Sequence, residues 1–371
     1  MEFSVKKSDL LKELDLAQGV VERKTTIPIL SNLLIEAEAD HVRLSATDLE
    51  LGIYSKFAAK VKKQGAGTIP ARRLVEIVRS LPEAEVRLKM LENHWFQLTC
   101  ERSSFKLVGM ARDNYPSLPA VPGSLASVPG AALATVLRRT AFAVSSEESR
   151  YTLNGALLLL KPETLTMVAT DGHRLALAEA DVKVGGVSNE LRILVPRKSM
   201  GELEKLLGGA GDDAVVELSK DDSHLFFSLG DRILIARLLT GQFPNYEAVL
   251  PKETPRVVEL EKDALGSALR RVALLADERS HAVKIQLDKG RLDLSSTSSE
   301  YGEAQESIDT DYQDVAMEIG FNYQYLLDFL GVLGDTARIR LELQDEQSAG
   351  QLRPVGEENS RYRYVVMPMR I

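Results

Sequence analysis

The chain has 371 residues, of which 44% are hydrophobic and 27% charged, the composition of a globular protein with room for two or three domains. Its net charge of −8 argues against broad, nonspecific adhesion to nucleic acid but leaves room for a local basic face. The single cysteine, Cys100, excludes an intrachain disulfide and a cysteine-based metal cluster. There is no apolar run of signal-peptide or membrane-span length, so we expect a cytoplasmic protein with no membrane partner.

Landmarks recur along the chain at a nearly constant offset of 123 to 128 positions. They are the ATD tripeptides at Thr47 and Thr170 (170 − 47 = 123), the proline-led helix starts at Pro70 and Pro196 (196 − 70 = 126), and the proline-rich loops at Pro116 and Pro244 (244 − 116 = 128). A fainter third copy, RLDLSSTSSE, places Thr297 127 positions after Thr170 (297 − 170). In this copy IGFN at 319–322 takes the place that VPRK at 195–198 has in the second. The sequence therefore predicts three copies of one module.

Each module is predicted to contain two amphipathic helices separated by short alternating strands. Asp9 is in position to cap the first helix. The apolar positions at helical spacing are Leu10, Leu14, Ala17 and Val21; Leu74, Ile77, Val78 and Leu81; Leu133, Val136, Leu137 and Val144; Met200, Leu203, Leu206 and Leu207; Leu265, Leu269, Val272 and Ala276; and Leu326, Phe329, Leu330 and Leu333. The pattern predicts an α+β fold with antiparallel sheets, and the Pro/Gly/Ser-rich stretches favour domains at 1–125, 126–253 and 254–371.

Basic residues recur off the apolar faces of four helices: Arg72, Arg73 and Arg79; Arg138 and Arg139; Arg197, Lys198 and Lys205; Arg270 and Arg271. A solvated polar face would explain any one of them. Their recurrence in an acidic chain makes a nucleic-acid contact an equally good hypothesis. The last helix carries Asp328 and no basic residue, so the stripe is incomplete.

Catalytic motifs are missing from the sequence. There is no nucleophile motif, Walker loop or HExxH motif, the five histidines are dispersed, and GGAG at 208–211 follows a helix, the reverse of a dinucleotide-binding loop. Asp171 and His173 could form an acid/base pair, but their spacing better fits a turn in which the Asp side chain accepts from backbone N–H groups. We therefore expect no enzyme, no cofactor and no metal.

The segments TDGHRLA, VPRK, FPNY and YVVMPMRI closely resemble the bacterial DNA polymerase III beta subunit, the sliding clamp, in consistent order along the whole chain. The resemblance implies a non-catalytic processivity factor: a head-to-tail homodimeric ring of six clamp modules around duplex DNA, with helices lining the lumen and sheets outside. It also implies partners that bind through short linear motifs, namely the replicative polymerase alpha subunit, the clamp-loader delta subunit, translesion polymerases, mismatch-repair proteins and ligase.

The resemblance implies three sets of site residues. The peptide-binding pocket falls on Leu153, Thr170, Gly172, His173, Arg174, Leu175, Pro244, Val249, Asn322, Tyr325, Val365, Val366, Met367, Pro368, Met369 and Arg370. The DNA-contacting positions are Lys24, Arg73, Arg150, Tyr151, Arg197 and Lys198. The dimer contact joins Arg102, Phe105 and Leu107, with Lys106 nearby, to Leu274, Leu275, Glu300 and Glu303, with Glu306 nearby.

The sequence departs from the family pattern at three positions: Ala248 stands where Arg is frequent, Thr152 where a second Tyr can occur, and Ile371 where the chain usually ends in Leu. Two alternatives also stay open. Val365 and Val366 fit a buried last strand as well as a binding surface, although Met367 and Met369 suit an adaptable apolar site. A peptide-binding hub that threads no DNA is the rival function, and retention on circular DNA would separate the two.

Overall fold

The computed structural model describes residues 1–22, 26–147, 149–356 and 361–370. Within these ranges the α-helices are α1 (Lys7–Val20), α2 (Ala71–Ser80), α3 (Gly130–Thr140), α4 (Arg197–Gly208), α5 (Lys262–Val272) and α6 (Tyr323–Gly331). None of these helices has the length and apolar content that a bilayer crossing requires.

The strands follow the repeat. The first module contains β1 (Glu2–Lys6), β2 (Asn32–Ala37), β3 (His41–Thr47), β4 (Leu51–Ala58), β5 (Lys60–Lys63), β6 (Gly65–Pro70), β7 (Glu85–Met90), β8 (Trp95–Cys100) and β9 (Ser103–Val108). The second contains β10 (Ser124–Pro129), β11 (Gly155–Lys161), β12 (Thr164–Thr170), β13 (Arg174–Asp181), β14 (Leu191–Pro196), β15 (Val215–Lys220), β16 (His224–Leu229) and β17 (Arg232–Arg237). The third contains β18 (Arg256–Glu261), β19 (Ala282–Asp288), β20 (Arg291–Ser298), β21 (Gly302–Asp309), β22 (Met317–Asn322), β23 (Arg338–Leu343), β24 (Gly350–Pro354) and β25 (Arg363–Val366).

The chain divides into two compact units, and the division runs through the middle module. The first unit comprises Met1–Ala131, Gly185–Val187 and Lys198–Leu238, and the second comprises the remaining segments. The sheets of the first unit have the orders β5-β1-β7-β8-β9 and β10-β15-β16-β17-β4-β3-β2-β6. Those of the second have the orders β14-β11-β12-β13-β25-β24-β23-β18 and β21-β20-β19-β22.

The helices form where apolar side chains recur at helical spacing, as predicted, because those side chains pack into the core. In α2, Leu74, Val75 and Val78 are fully buried. Two details of the prediction are wrong. Asp9 lies in the first turn of α1 and does not cap it, because the helix already begins at Lys7 with Lys6 at its N-cap. Five of the predicted helical positions lie beyond the ends of their helices: Val21, Leu81, Val144, Ala276 and Leu333.

Each eight-stranded sheet joins two modules edge to edge. At the first junction, defined as the pairing of β4 with β17, Gly52 lies opposite Ile235. At the second junction, defined as the pairing of β13 with β25, Leu175 lies opposite Val365. These two registers are equivalent, because Gly52 and Leu175 are each paired within their own module to the Thr of an ATD tripeptide.

A matching backbone hydrogen bond ends both junctions. The N–H of Arg237 donates to the Glu50 carbonyl at 2.8 Å, and the N–H of Met367 donates to the His173 carbonyl at 2.8 Å. In each case the donor lies two residues after Ile235 or Val365, and the acceptor lies two residues before Gly52 or Leu175. The repeat in sequence is therefore also a repeat in hydrogen bonding.

Candidate functional site

The turn between β12 and β13 holds the TDGHR segment in a fixed shape. Asp171 Oδ1 accepts hydrogen bonds from the backbone N–H of His173 at 2.9 Å and of Arg174 at 3.0 Å. The Thr170 hydroxyl donates to the Arg174 carbonyl at 2.7 Å, and Gly172 supplies a φ of +91°. Asp171 is therefore a turn-forming residue, as its spacing predicted.

The Arg174 side chain points into the second junction. Its guanidinium donates to Asp171 at 3.0 Å, to the Phe142 carbonyl at 2.7 Å and to the Asp328 carboxylate. Its Cζ also lies 4.3 Å from the centroid of the Tyr325 ring, a cation–π distance. Its hydrogen bonds hold the β12–β13 turn against α6, and the expectation that Arg174 also lines a peptide cleft stays a prediction.

The charge of Arg174 is stabilised in this position. Burial alone would lower the pKa of its guanidinium, but Tyr364, Asp328 and Asp171 more than offset burial and raise that pKa above its ordinary value. Burial raises the pKa of the neighbouring Tyr364 hydroxyl, which donates to the Tyr325 carbonyl at 2.9 Å. The Tyr364 ring stacks on Phe329 of α6 at 5.2 Å, so an aromatic layer lies below the turn.

The C-terminal residues serve two roles in succession. Val365 and Val366 are buried in β25, between β13 and β24, which supports the buried-strand reading of these two positions. The residues that follow run along the surface: Met367 is 43% exposed, and the Met369 N–H donates to the Gly320 carbonyl at 2.8 Å. Residues 367–370, called the tail below, are therefore held by backbone bonds while their side chains face partly outward.

An apolar surface adjoins the tail. Its base is a cluster of buried side chains from the sheet: Leu157, Leu159, Val168, Leu175, Leu177, Leu194 and Val365. The half-buried Leu239, Phe243, Tyr246 and Leu250, from the loop after β17, pack against this base. Together with the exposed Val249 and Met367, these residues form what we call the apolar patch.

The sequence prediction found only part of the patch. It named Leu175, Val249, Val365 and Met367 and none of the other members, which include the loop aromatics Phe243 and Tyr246. One signal was present, because Phe243 and Tyr246 belong to the FPNYEAVLP loop that marks the repeat.

Other predicted pocket residues do not belong to the apolar patch. Leu153 ends a short 3-10 turn (Tyr151–Leu153), and Pro244 is exposed in the loop after β17. Asn322 caps α6 by accepting from the Gln324 N–H at 2.9 Å. Pro368 is half-buried and Arg370 exposed in the tail, whereas Ile371 lies outside the described residues.

The first junction has a different surface over the same backbone. Gly52 stands at the position of Leu175, and a Cβ placed on Gly52 would lie 2.7 Å from Leu118 Cδ2. The side chain of Leu118, from the YPSLPAVP loop, thus occupies the space that a side chain at position 52 would need. Tyr115 of the same loop packs with Leu34 in a small buried cluster.

Most of the basic helix residues are paired with carboxylates of the chain. Arg72 and Arg73 each contact Glu76 at 2.8 Å, and Arg79 contacts Asp15 at 2.7 Å. Lys205 and Arg271 likewise pair with Glu202 and Glu306. Among the described residues, no ion pair is found for Arg138, Arg197 or Arg270, which are exposed.

The other predicted DNA-contacting residues include both paired and exposed side chains. Lys198 contacts Asp48 at 2.5 Å and Glu50 at 3.2 Å. Burial lowers the pKa of Lys198 and these carboxylates raise it, with a net rise. Arg150 pairs with Glu147 and donates to the Asp171 carbonyl, both at 2.8 Å, whereas Tyr151 is 68% exposed. Lys24 lies outside the described residues.

The predicted interface residues lie on or near two sheet edges. Phe105 and Leu107 are half-buried in β9, which ends its sheet, and Arg102 precedes that strand. Glu303 lies in the edge strand β21, Glu300 in the turn before it, and Leu274, in the 3-10 turn Ala273–Leu275 after α5, is 78% exposed. Glu306 also lies in β21, but it contacts Arg271 of its own chain, which lowers the pKa of its carboxyl group.

Comparison with known proteins identifies the whole chain. Residues 1–119, 127–245 and 247–370 match the N-terminal, central and C-terminal domains of the DNA polymerase III beta subunit. The beta sliding clamps of Pseudomonas putida and Caulobacter vibrioides are each 36% identical to the chain, with 100% of both proteins covered. The crystal structure of DNA polymerase III subunit beta from Pseudomonas aeruginosa superposes with a TM-score of 0.91 at 35% identity, and that of the Bacillus subtilis clamp with 0.90 at 28%, covering at least 99% of each chain.

The repeated modules, the junction geometry and these similarities define a clamp fold of three domains. The relatives are named as clamps and not as catalytic subunits, in agreement with the prediction that the chain is not an enzyme. The chain belongs to the DNA polymerase III beta subunit family, the bacterial sliding clamps of DNA replication. The domain boundaries at 125/126 and 253/254 remain predictions; β10 begins at Ser124 and β18 at Arg256.

Proposed function

We propose that two copies of the chain close head to tail into a ring around duplex DNA in the cytoplasm. In this proposal the ring tethers the replicative polymerase, the clamp loader and repair proteins to DNA through the apolar patch and the tail. The clamp contributes topology and partner contacts, and the chemistry belongs to the partners. The single observation that carries the proposal is that two equivalent junctions join the three modules, while the two corresponding strands, β9 and β21, each lie at a sheet edge among the described strands.

Among the described strands, β21, the counterpart of β4 and β13, lies at the edge of its sheet, and so does β9, the counterpart of β17 and β25. An exposed edge strand is a template for pairing with another chain. β9 belongs to the first module and β21 to the third. If β9 of one copy pairs with β21 of another, the chain of modules closes into a ring when the rotation between copies permits.

The repeat also predicts the register of this third junction. Ile235 lies three residues after Arg232, which pairs with Leu229 at the β16–β17 hairpin. Ser103 pairs with Cys100 in the same way, so Lys106 is the counterpart of Ile235. In the third module, Thr297 pairs with Glu303, which makes Glu303 the counterpart of Gly52 and Leu175.

Lys106 of one copy should therefore lie directly opposite Glu303 of the other. Opposite charges across a ladder stabilise pairing modestly, whereas like charges oppose it. On the same register, Phe105 meets Ala304 of the second copy, which gives the contact an apolar pair beside the charged one. Charge and register thus favour the same partner strand.

Exposed basic residues supply the proposed contact with DNA. Arg197, Arg138 and Arg270 carry charges that no described carboxylate neutralises, and such residues bind phosphates without sequence preference. The extensive internal pairing of the other basic residues keeps the attraction weak. A weak, salt-sensitive contact suits a ring that must slide.

The ring proposal is tested by loading the protein onto nicked circular DNA with a clamp loader and then linearising the DNA. We expect a mass of two chains in sedimentation equilibrium, retention on the circle at moderate salt, and loss after a single cut. Release from circular and linear DNA at equal rates would reject encirclement and favour the peptide-binding hub.

Charge reversal tests the register. Lys106→Glu and Glu303→Lys should each raise the dimer dissociation constant about fivefold, a change of about 1 kcal/mol, and the double variant should recover most of the loss. Lys220→Glu, at an exposed position of β15 inside its sheet, is the matched control. Equal weakening by the single and double variants would exclude the pairing of Lys106 with Glu303.

A further inference from the structure

An exposed aromatic depression lies beside β9. It encloses about 710 Å³ and is lined by Met1, Lys63, Lys89, Met90, Trp95 and Lys106, together with Leu91 and Glu92. Trp95 is the only tryptophan of the chain and is 40% exposed. Its ladder partner Val108, the last residue of β9, is 55% exposed. Two apolar side chains thus face outward next to an unpaired edge.

The depression is strongly basic. The side chains of Lys63, Lys89 and Lys106 contribute three positive charges, against the one carboxylate of Glu92. Lys89 and Lys106 both lie opposite Gln97 in their ladders, and alternation along the strands puts these residues and Trp95 on one face of the sheet. An occupant with an aromatic group flanked by carboxylates would match this face.

The third module presents such a group. The turn between β20 and β21 carries Tyr301, which is 52% exposed, with Glu300 before it and Glu303 two residues after it. The Tyr301 N–H contacts the Ser298 hydroxyl at 3.3 Å, so the turn has a defined backbone conformation. Its sequence, EYGE, is acidic and aromatic where the depression is basic and aromatic.

The junction register brings these two surfaces together. At the first junction Ile235 lies opposite Gly52, and the N–H of Arg237 donates to the Glu50 carbonyl. At the second junction Val365 lies opposite Leu175, and the N–H of Met367 donates to the His173 carbonyl. In both, the donor lies two residues after the first paired residue and the acceptor two residues before the second. Counting in the same way from Lys106 and Glu303 pairs the Val108 N–H with the Tyr301 carbonyl of a second copy. Trp95 is the next residue across the sheet from Val108.

We propose that Tyr301 of one copy packs on Val108 and Trp95 of the other, with Glu303 facing Lys106, as an aromatic latch at each junction between copies. The inference rests on the proposed ring and goes beyond it by naming a composite site to which each copy contributes. Aromatic contacts of this kind change an association constant by roughly threefold to tenfold. The latch would therefore tune how readily the ring opens.

The single tryptophan makes the latch directly measurable. Trp95 emission and acrylamide quenching are recorded while full-length protein is diluted through the dimer dissociation constant, which sedimentation measures in parallel. We expect emission to shift to longer wavelength and quenching to increase as dimers dissociate. Tyr301→Ala should raise the dissociation constant threefold to tenfold, and its remaining dimers should show monomer-like emission.

Two further variants complete the experiment. Tyr301→Phe keeps the aromatic side chain and should retain the wild-type dimer emission. Val315→Ala removes another apolar side chain of the third module, which is 66% exposed, and should leave emission and affinity unchanged. If Tyr301→Ala dimers keep the wild-type emission and affinity, the latch is wrong while the ring stands. If no dimer forms at any concentration, the ring and the latch are both rejected.

Discussion

The first and second junctions have the same backbone pairing, but the residues above the sheet differ. Five positions of the base of the apolar patch can be compared through the strand registers. At the second junction they are Leu157, Leu159, Val168, Leu175 and Leu177, and at the first they are Leu34, Glu36, Ser45, Gly52 and Tyr54. Ladder hydrogen bonds do not depend on these outward-facing side chains, so one junction geometry tolerates both sets.

The loops enlarge the difference. At the first junction the side chain of Leu118 occupies the space above Gly52, so a loop of the chain itself covers the paired strands there. At the second junction Leu175 fills that space itself, and the corresponding loop leaves Val249 exposed beside the patch. The comparison teaches that side chains and loop placement create the apolar patch, and that the repeated fold alone does not produce it.

The largest effect is expected from removing residues 367–371. Partner binding should fall more than a hundredfold, because Met367 and the rest of the tail border the patch, whereas β25 ends at Val366 and stays intact. Titration with a fluorescent peptide carrying Leu and Phe anchors measures the loss, and circular dichroism and sedimentation check fold and dimer. Unfolding of the second unit would show instead that the tail is a structural element.

Arg174→Ala should destabilise the second unit by about 2–3 kcal/mol. The change leaves Asp171 and the Phe142 carbonyl without their buried donor, although solvent reaches Asp328 and moderates the cost. Denaturant unfolding measures the effect, with the exposed Arg192→Ala as control. An unchanged unfolding midpoint combined with lost peptide affinity would indicate that Arg174 binds the peptide directly.

Tyr246→Ala and Tyr54→Ala compare matched half-buried tyrosines at the two junctions. Removing Tyr246 from the patch should weaken peptide binding about tenfold, which corresponds to about 1.4 kcal/mol. Removing Tyr54 should leave peptide affinity unchanged. Isothermal titration of both variants decides the point, and an equal loss from both would mean that the first junction also binds partners.

Leu118→Ala should have the smallest effect. Because Leu118 is only half-buried, the variant should lose about 1 kcal/mol of folding stability in the first unit and no peptide affinity. Thermal unfolding and the same peptide titration measure the two quantities. New peptide binding in this variant would show that the Leu118 loop competes with a latent site.

Local features of the molecule could be predicted from the sequence. The Asp171 turn, the six helices and the α+β character follow from spacings within a few residues, where side-chain periodicity and turn chemistry act directly. The threefold repeat followed from landmarks such as Thr47 and Thr170. The resemblance then supplied the family, which the comparisons confirm.

Contacts between distant residues were decided only by the tertiary structure. Lys198 meets Asp48, and Arg174 meets Asp328, because sheet pairing brings together segments about 150 positions apart in sequence. The covering of Gly52 by Leu118 depends likewise on where a loop returns to the sheet. Spacing in a sequence encodes periodicity along one element, whereas ion pairing and burial depend on the register between elements, and here that register assigned basic residues to internal pairs and one junction to an open apolar patch.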